Sequence, residues 1–331
     1  CQQADIGAAL SRTSVSTDLG EAVQDVELVS ESVYEDLELK RKIHRELDQI
    51  CAPHTIPTSN SSSLPISDIE HVVQRGSLIA ALHSHLGSPL VDIVPGPRTS
   101  ARTVDILTRY VRSFRGEPLV LKKDNPGYVL NAMLGPVLAT SLALFVRGDS
   151  SVLEIDRAWM ASQAAQMGPF GMIDLFGLPL VRDTWLHRDK HDALQAFREP
   201  VLALLESKVE EGKLGMKSGA GFYSYPNPDY QQQDFASTGE DLPVAGCLQA
   251  VLVAQAVMLA EKDVADPADI DRAWCIGTGL ARGPFEIARS LGLESIAGDV
   301  RQLHQDMLMT ESEVARVVEY LQQFPACVEG E

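Results

Sequence analysis

Residues 77–96 read SLIAALHSHLGSPLVDIVPG, two apolar runs of strand length that deliver His83 and, further on, Asp92. A neutral imidazole beside a carboxylate is a usual way to take a proton from an alcohol, because the carboxylate fixes the tautomer and stabilises the imidazolium that forms. A lone histidine at a strand end is also an ordinary structural residue. The pair is therefore a candidate whose weight depends on its surroundings.

Working outward, QDVELVSESV (24–33) has the apolar character and length of a strand. In YEDLELKRKIHRELDQIC (34–51), Leu37, Leu39, Ile43, Leu47 and Ile50 fall at near-helical spacing with the charges elsewhere, which predicts an amphipathic helix. HTIPTSNSSSLP (54–65) reads as a short strand entering a Ser/Asn turn, and ISDIEHVV (66–73) as a helix with Ser67 or Asp68 as its cap. A helix over 99–116 and a strand at EPLVLKKD follow, while residues 1–20 suggest a helix end and a loop into a short pairing segment. Strands alternating with helices specify an α/β sheet, ending near residue 122.

Beyond DNPGY (124–128) only helical patterns remain, and the chain repeats itself. GDSSVLEIDRAWMASQAAQMGPFGMIDLFGL recurs as KDVADPADIDRAWCIGTGLARGPFEIARSLGL, with Asp156 matching Asp271, Trp159 matching Trp274 and Gly168 matching Gly283. The offset is constant (271 − 156 = 274 − 159 = 283 − 168 = 115), so the two copies align without a gap. Ser151 with Glu154, and Asp266 with Asp269, stand where a helix cap and its third-position partner belong, and Pro267 suits a first helical turn. The expected organisation is 1–122, 123–232 and 240–331, with GKLGMKSGAGFYSY (212–225) as a closing loop before a polar linker.

The 331 residues carry 28 Lys+Arg against 46 Asp+Glu, a formal net charge of −18 that disfavours nucleic acid or an anionic membrane as partner. Five scattered cysteines (Cys1, Cys51, Cys247, Cys275, Cys327) without CxxC spacing read as reduced thiols and suggest neither a disulfide framework nor a zinc site. No metal is expected. No run of about 18 consecutive apolar residues occurs.

Five ordered motifs, TSNSSSLPI, LHSHLGSPLVDIVPG, KDNPGYVLN, MGPF and GKLGMKSGAGFYSY, together resemble the L-3-hydroxyacyl-CoA dehydrogenase family. The second helical copy resembles the duplicated C-terminal domain of longer bacterial-type members. The resemblance implies part of a Rossmann-type NAD-binding domain followed by two repeated helical domains, with the active site in the cleft between the first two. It implies oxidation of a 3-hydroxyacyl-CoA to a 3-ketoacyl-CoA with NAD as cofactor, as in fatty-acid β-oxidation, and leaves room for a homodimer. Carried over by motif, His83 is the general base, Asp92 its orienting carboxylate, and Ser62 and Asn131 bind the substrate oxygens. Glu35, Lys40 and Asn60 fall at cofactor-side positions. From the residues alone, Ser62 also fits a local turn bond, Asn131 a helix cap, and Glu35 and Lys40 a solvated helix face.

Three departures from the family pattern stand out. The phosphate-binding turn G-x-G-x-x-G is absent from the 331 residues, as is the acidic residue expected after the second strand, so the chain is expected to be N-terminally incomplete. It begins with Cys1 and not Met, which suggests a processed or incomplete sequence. The segment SHLGSP between His83 and Asp92 is a few residues shorter than usual, and about 1 Å of misplacement costs on the order of a hundredfold in rate. His85 offers a second base, with His83 preferred because it aligns with the motif. Finally, 131 + 115 = 246 is Gly246, so the second copy lacks the substrate-facing Asn and is expected to pack on the first as a structural partner. An impaired fragment or binding protein, and a dehydrogenase of a free hydroxy acid, are the alternative functions. The expected compartment is the cytoplasm, with an organelle left open.

Overall fold

The computed structural model describes residues 3–85, 87–237 and 242–324, which form two compact units. Among the described residues, the first comprises 3–85 and 91–126 and the second 87–90, 127–237 and 242–324. Cys51, Cys247 and Cys275 are free thiols, whereas Cys1 and Cys327 lie outside the described residues.

The first unit begins with two short helices, α1 (Gln3–Leu10) and α2 (Leu19–Val23). A pairing segment was expected at the second position. Asp18 instead accepts the Glu21 N–H at 2.9 Å and caps a helical turn. A five-stranded sheet follows in the order β1 (Leu28–Glu31), β2 (Ile56–Ser59), β3 (Ala80–Ser84), β4 (Leu90–Pro95) and β5 (Glu117–Val120). β1, β2 and β3 are parallel and β4 turns back antiparallel. The intervening helices are α3 (Leu37–Ile50), α4 (Ile66–Glu70) and α5 (Ala101–Ser113), the last packing Leu107 and Val111 onto Leu82, Val91 and Ile93 of the sheet.

Helix α3 departs from its apolar pattern. Its buried residues are Lys40, His44 and Leu47, at spacings of four and three, while Ile50 is exposed. Leu47 and Ile43 keep their apolar packing, and Lys40 and His44 turn inward beside them because Glu31, at the end of β1, is itself buried and needs a cation.

The second unit is helical: α6 (Leu130–Arg147), α7 (Val152–Gln163), α8 (Pro169–Phe176), α9 (Leu178–Leu186) and α10 (Arg198–Glu210). The second copy supplies α11 (Pro243–Glu261), α12 (Pro267–Thr278) and α13 (Pro284–Leu291), followed by α14 (Leu293–Gln305) and α15 (Glu311–Gln323). The repeated motif has a plain mechanical use. Asp156 on α7 accepts the Phe170 and Gly171 N–H groups at 2.8 and 3.1 Å, and Asp271 on α12 accepts those of Phe285 and Glu286 at 2.8 and 3.1 Å. In each copy one helix caps the start of the next. A Cβ at Gly168 would lie 2.4 Å from the Asp156 carboxyl carbon, which is why glycine precedes the proline. Ser151 and Glu154 form the expected capping box, whereas Asp266 makes no side-chain cap bond.

The two copies pack on each other through α6 and α11, with α7 against α11 and α12 against α6. Trp159 meets its own repeat-mate Trp274 edge-on at 6.3 Å. Contact between equivalent positions is the mark of a two-fold arrangement, here within one chain. α6 and α11 have the length and mean hydropathy (1.4 and 1.8) of membrane spans, yet 61% and 67% of those windows are buried, as befits core helices.

Candidate active site

The hairpin of β3 and β4 decides the local geometry. Its antiparallel register sets His83 directly opposite Asp92, and His85, just past the end of β3, turns to the same carboxylate. The shortened connection therefore does not part the pair: His83 Nδ1 lies 3.0 Å from Asp92 Oδ2. His85 Nε2 reaches the same oxygen at 2.8 Å. Asp92 is wholly buried and its Oδ1 has no hydrogen-bond partner among the described residues. Burial opposes its ionisation, but the bonds from His83 and His85 prevail and hold it below the usual carboxylate range. With both imidazoles donating to one oxygen, His83 carries its proton on Nδ1, which leaves Nε2 as the basic nitrogen.

A second cluster lies at the carboxyl ends of the parallel strands β1 and β2. Glu31 Oε1 accepts the Val33 N–H at 2.7 Å and Lys40 Nζ at 2.9 Å, while Oε2 accepts the Ser59 hydroxyl at 2.8 Å and sits 3.4 Å from His44 Nε2. Lys40 also lies 3.4 Å from Glu35 Oε2. Lys40 is 1% exposed, so it does not stand on a solvated helix face. Glu35 precedes α3 and grips the serine turn: its Oε1 accepts the Ser61 and Ser63 hydroxyls at 2.5 and 2.8 Å and the backbone N–H groups of Ser62, Ser63 and Leu64 at 3.2, 3.0 and 3.3 Å. Burial raises both acids, yet His44, Lys40 and Ser59 around Glu31, and Ser61, Ser63 and Lys40 around Glu35, overcome it and hold each at about 2.

Asn60 ties this cluster to the hairpin. Its N–H donates to the Glu31 carbonyl at 2.8 Å and its side-chain oxygen accepts the Ser84 N–H at 3.0 Å, one residue past His83. Ser62 is half-buried in the turn, held through its backbone N–H. Asn131 is exposed near the start of α6 in the second unit; the cap position there is Val129, so Asn131 is not the helix cap.

The sequence reading passed over Glu31, His44, Ser59 and Ser61. The signal for Glu31 was available: an acid ending a strand, with a lysine on the next helix.

Residues 1–125 match the family profile described as 3-hydroxyacyl-CoA dehydrogenase, NAD binding domain, and residues 127–225 and 244–323 that described as 3-hydroxyacyl-CoA dehydrogenase, C-terminal domain. The chain is 36% identical over 222 residues to the mitochondrial hydroxyacyl-coenzyme A dehydrogenase of Sus scrofa, a match covering 65% of this chain and 69% of the relative. It is 32% identical over 229 residues to a probable 3-hydroxybutyryl-CoA dehydrogenase of Bacillus subtilis, covering 67% and 77% of the two. In fold, it is similar to the solved 3-hydroxybutyryl-CoA dehydrogenase of Escherichia coli K12 with a TM-score of 0.78 at 19% identity, over 98% of this chain and 88% of the other.

Proposed function

This chain belongs to the 3-hydroxyacyl-CoA dehydrogenase family, and from that premise we propose how its residues convert a 3-hydroxyacyl-CoA to a 3-ketoacyl-CoA. It is an NAD-dependent oxidoreductase. Bound NAD supplies the hydride acceptor.

His83 takes the proton of the substrate 3-hydroxyl on Nε2. Asp92 holds the imidazole in the tautomer that leaves that nitrogen basic, and its negative charge stabilises the imidazolium that forms. The Ser62 hydroxyl and the Asn131 amide bind the substrate oxygens, opposing the negative charge that develops on the carbinol oxygen as its proton leaves. Ser62 owes its position to Glu35, which fixes the turn through the N–H of Ser62 and its neighbours.

The residues present fit the nicotinamide end of the cofactor. Asn60 and Glu35 stand beyond the carboxyl ends of β1 and β2, where open α/β sheets take ligands, and Glu35 remains 36% exposed in its side chain. Lys40 acts behind them as a positioning residue, keeping Glu31 and Glu35 ionised. The sequence has no G-x-G-x-x-G turn, and no residue is assigned to the pyrophosphate.

The observation that carries these roles is the His83–Asp92 pair at 3.0 Å in direct cross-strand register. The test is a titration with NADH, following cofactor fluorescence, with and without acetoacetyl-CoA. NADH binding with substrate-dependent oxidation is expected, with His83→Ala keeping the binding and losing the turnover. Absence of binding at millimolar NADH, or a His83→Ala variant that turns over normally, would contradict the assignment.

A further inference from the structure

We propose that His83, His85 and Asp92 form a site for a transition-metal ion of the zinc class, and that occupancy switches the base off. The binding half rests on geometry alone; the inhibitory half rests on the reading of His83 as base.

His83 near the end of β3 and His85 just beyond it both reach Asp92, which meets His83 from the facing strand. The donor atoms of all three lie within 4.8 Å of one another, and each side chain is at most 8% exposed. The rings stand edge-on at 75°, with centroids 4.5 Å apart, which leaves both nitrogens aimed at the carboxylate. Atoms bound to one ion at about 2.1 Å lie roughly 3 to 3.4 Å from each other. The existing nitrogen-to-oxygen separations of 3.0 and 2.8 Å are near that spacing.

The second observation is the idle oxygen. Two N–H groups crowd onto Oδ2, while Oδ1, buried beside it, accepts nothing among the described residues. A buried acceptor left unmet is costly, and a dication taking the place of the two protons would engage it. Two imidazoles and one carboxylate favour zinc, cobalt, nickel or copper over magnesium or calcium, which prefer oxygen ligands throughout. Three protein ligands also leave a position open for water.

The consequence follows from the tautomer. Binding metal at His83 Nδ1 moves that ring's proton to Nε2, and at His85 Nε2 it moves the other ring's proton to Nδ1. No net proton or electron is exchanged. His83 Nε2 then carries hydrogen and cannot accept another from the substrate.

Untagged protein freed of metal with EDTA should be titrated with cobalt(II), following the visible absorption of a nitrogen-ligated ion, and with zinc in competition with a chromophoric chelator. One ion per chain is expected, with zinc suppressing turnover and EDTA restoring it. His85→Phe and His85→Gln, each checked by thermal melting, should weaken zinc binding at least tenfold and raise the half-inhibitory zinc concentration by the same factor. No binding, or equal affinity in both variants, would overturn the site and would place any bound ion elsewhere, as on Cys51, Cys247 or Cys275. Binding without inhibition would overturn the switch. Turnover measured in EDTA tests the dehydrogenase reading separately, since its loss leaves the cobalt spectrum untouched.

Discussion

The wholly buried Asp92 of the first unit and Asp156 of the second are shifted in opposite directions. In the first unit Glu31, Glu35, Asp48 and Asp92 are all drawn below the usual range, because burial is outweighed by His44, Lys40 and Ser59 at Glu31, by Ser61, Ser63 and Lys40 at Glu35, by the Gln74 N–H and Arg75 at Asp48, and by His83 and His85 at Asp92. In the second, burial wins. Asp156 is pushed up to about 7, and Asp174 and Asp271 are raised, although each accepts two backbone N–H groups. Asp156 and Asp92 are equally inaccessible, so depth is not the difference. Asp156 has only neutral donors, among them the Tyr223 hydroxyl at 2.9 Å, and it also faces the charge of Asp174. The first unit keeps charge in reserve beside its chemistry, and the second uses Asp156 and Asp271 as helix caps and Asp174 to hold the loop at Phe222 and Tyr223.

The largest effect expected from breaking this contrast is at Lys40. Lys40→Met leaves Glu31 buried without its cation, which costs about 3–5 kcal/mol for a broken buried pair. Denaturant melts followed by hydrogen exchange should show the loss in residues 1–126, with the helical unit little changed. Equal loss in both units would show that the charge network does not belong to the first alone.

Next in size is the cap itself. Gly168→Ala drives a methyl into Asp156 and should cost about 1–3 kcal/mol by overpacking. Gly283→Ala meets Asp271 as closely, at 2.3 Å from its carboxyl carbon, but that side chain is 18% exposed and has room to yield. Its cost should be smaller, and the reverse order would break the comparison between the copies.

A third contrast lies in pH dependence. Between the ordinary value of 3.8 and about 7, folded Asp156 holds a proton that the unfolded chain has released, so raising the pH through this window lowers stability. Glu31 and Glu35 work the other way: their stabilisation is complete above 4.5 and is lost as the pH falls toward 2. Thermal melts of Asp156→Asn should therefore be flatter than wild type between pH 4 and 7 and unchanged in acid. A variant with the wild-type slope would assign that slope to another group.

Much of this was legible from the residues. The β3–β4 hairpin announced itself through two apolar runs, and its register carried His83 opposite Asp92. The duplication was legible because the offset of 115 never shifts, and the caps by Asp156 and Asp271 explain why those residues recur with a glycine and a proline. The inward face of α3 was not legible. Periodicity ranks Lys40 and His44 as polar, and what buries them is Glu31, a residue on a different element. Nor could spacing show that Glu35 binds Ser61 and Ser63 through their hydroxyls but Ser62 through its backbone, since that depends on how the turn folds over the carboxylate.

The central claim is that His83 and Asp92 act as one unit in proton removal. The direct measurement is a double-mutant cycle on kcat with His83→Ala, Asp92→Asn and the pair, in EDTA at saturating NAD. Each single change should slow turnover by about 10²–10⁴-fold, and the double variant should be no slower than His83→Ala alone. Losses that multiply would mean the two residues work independently, and would contradict the account.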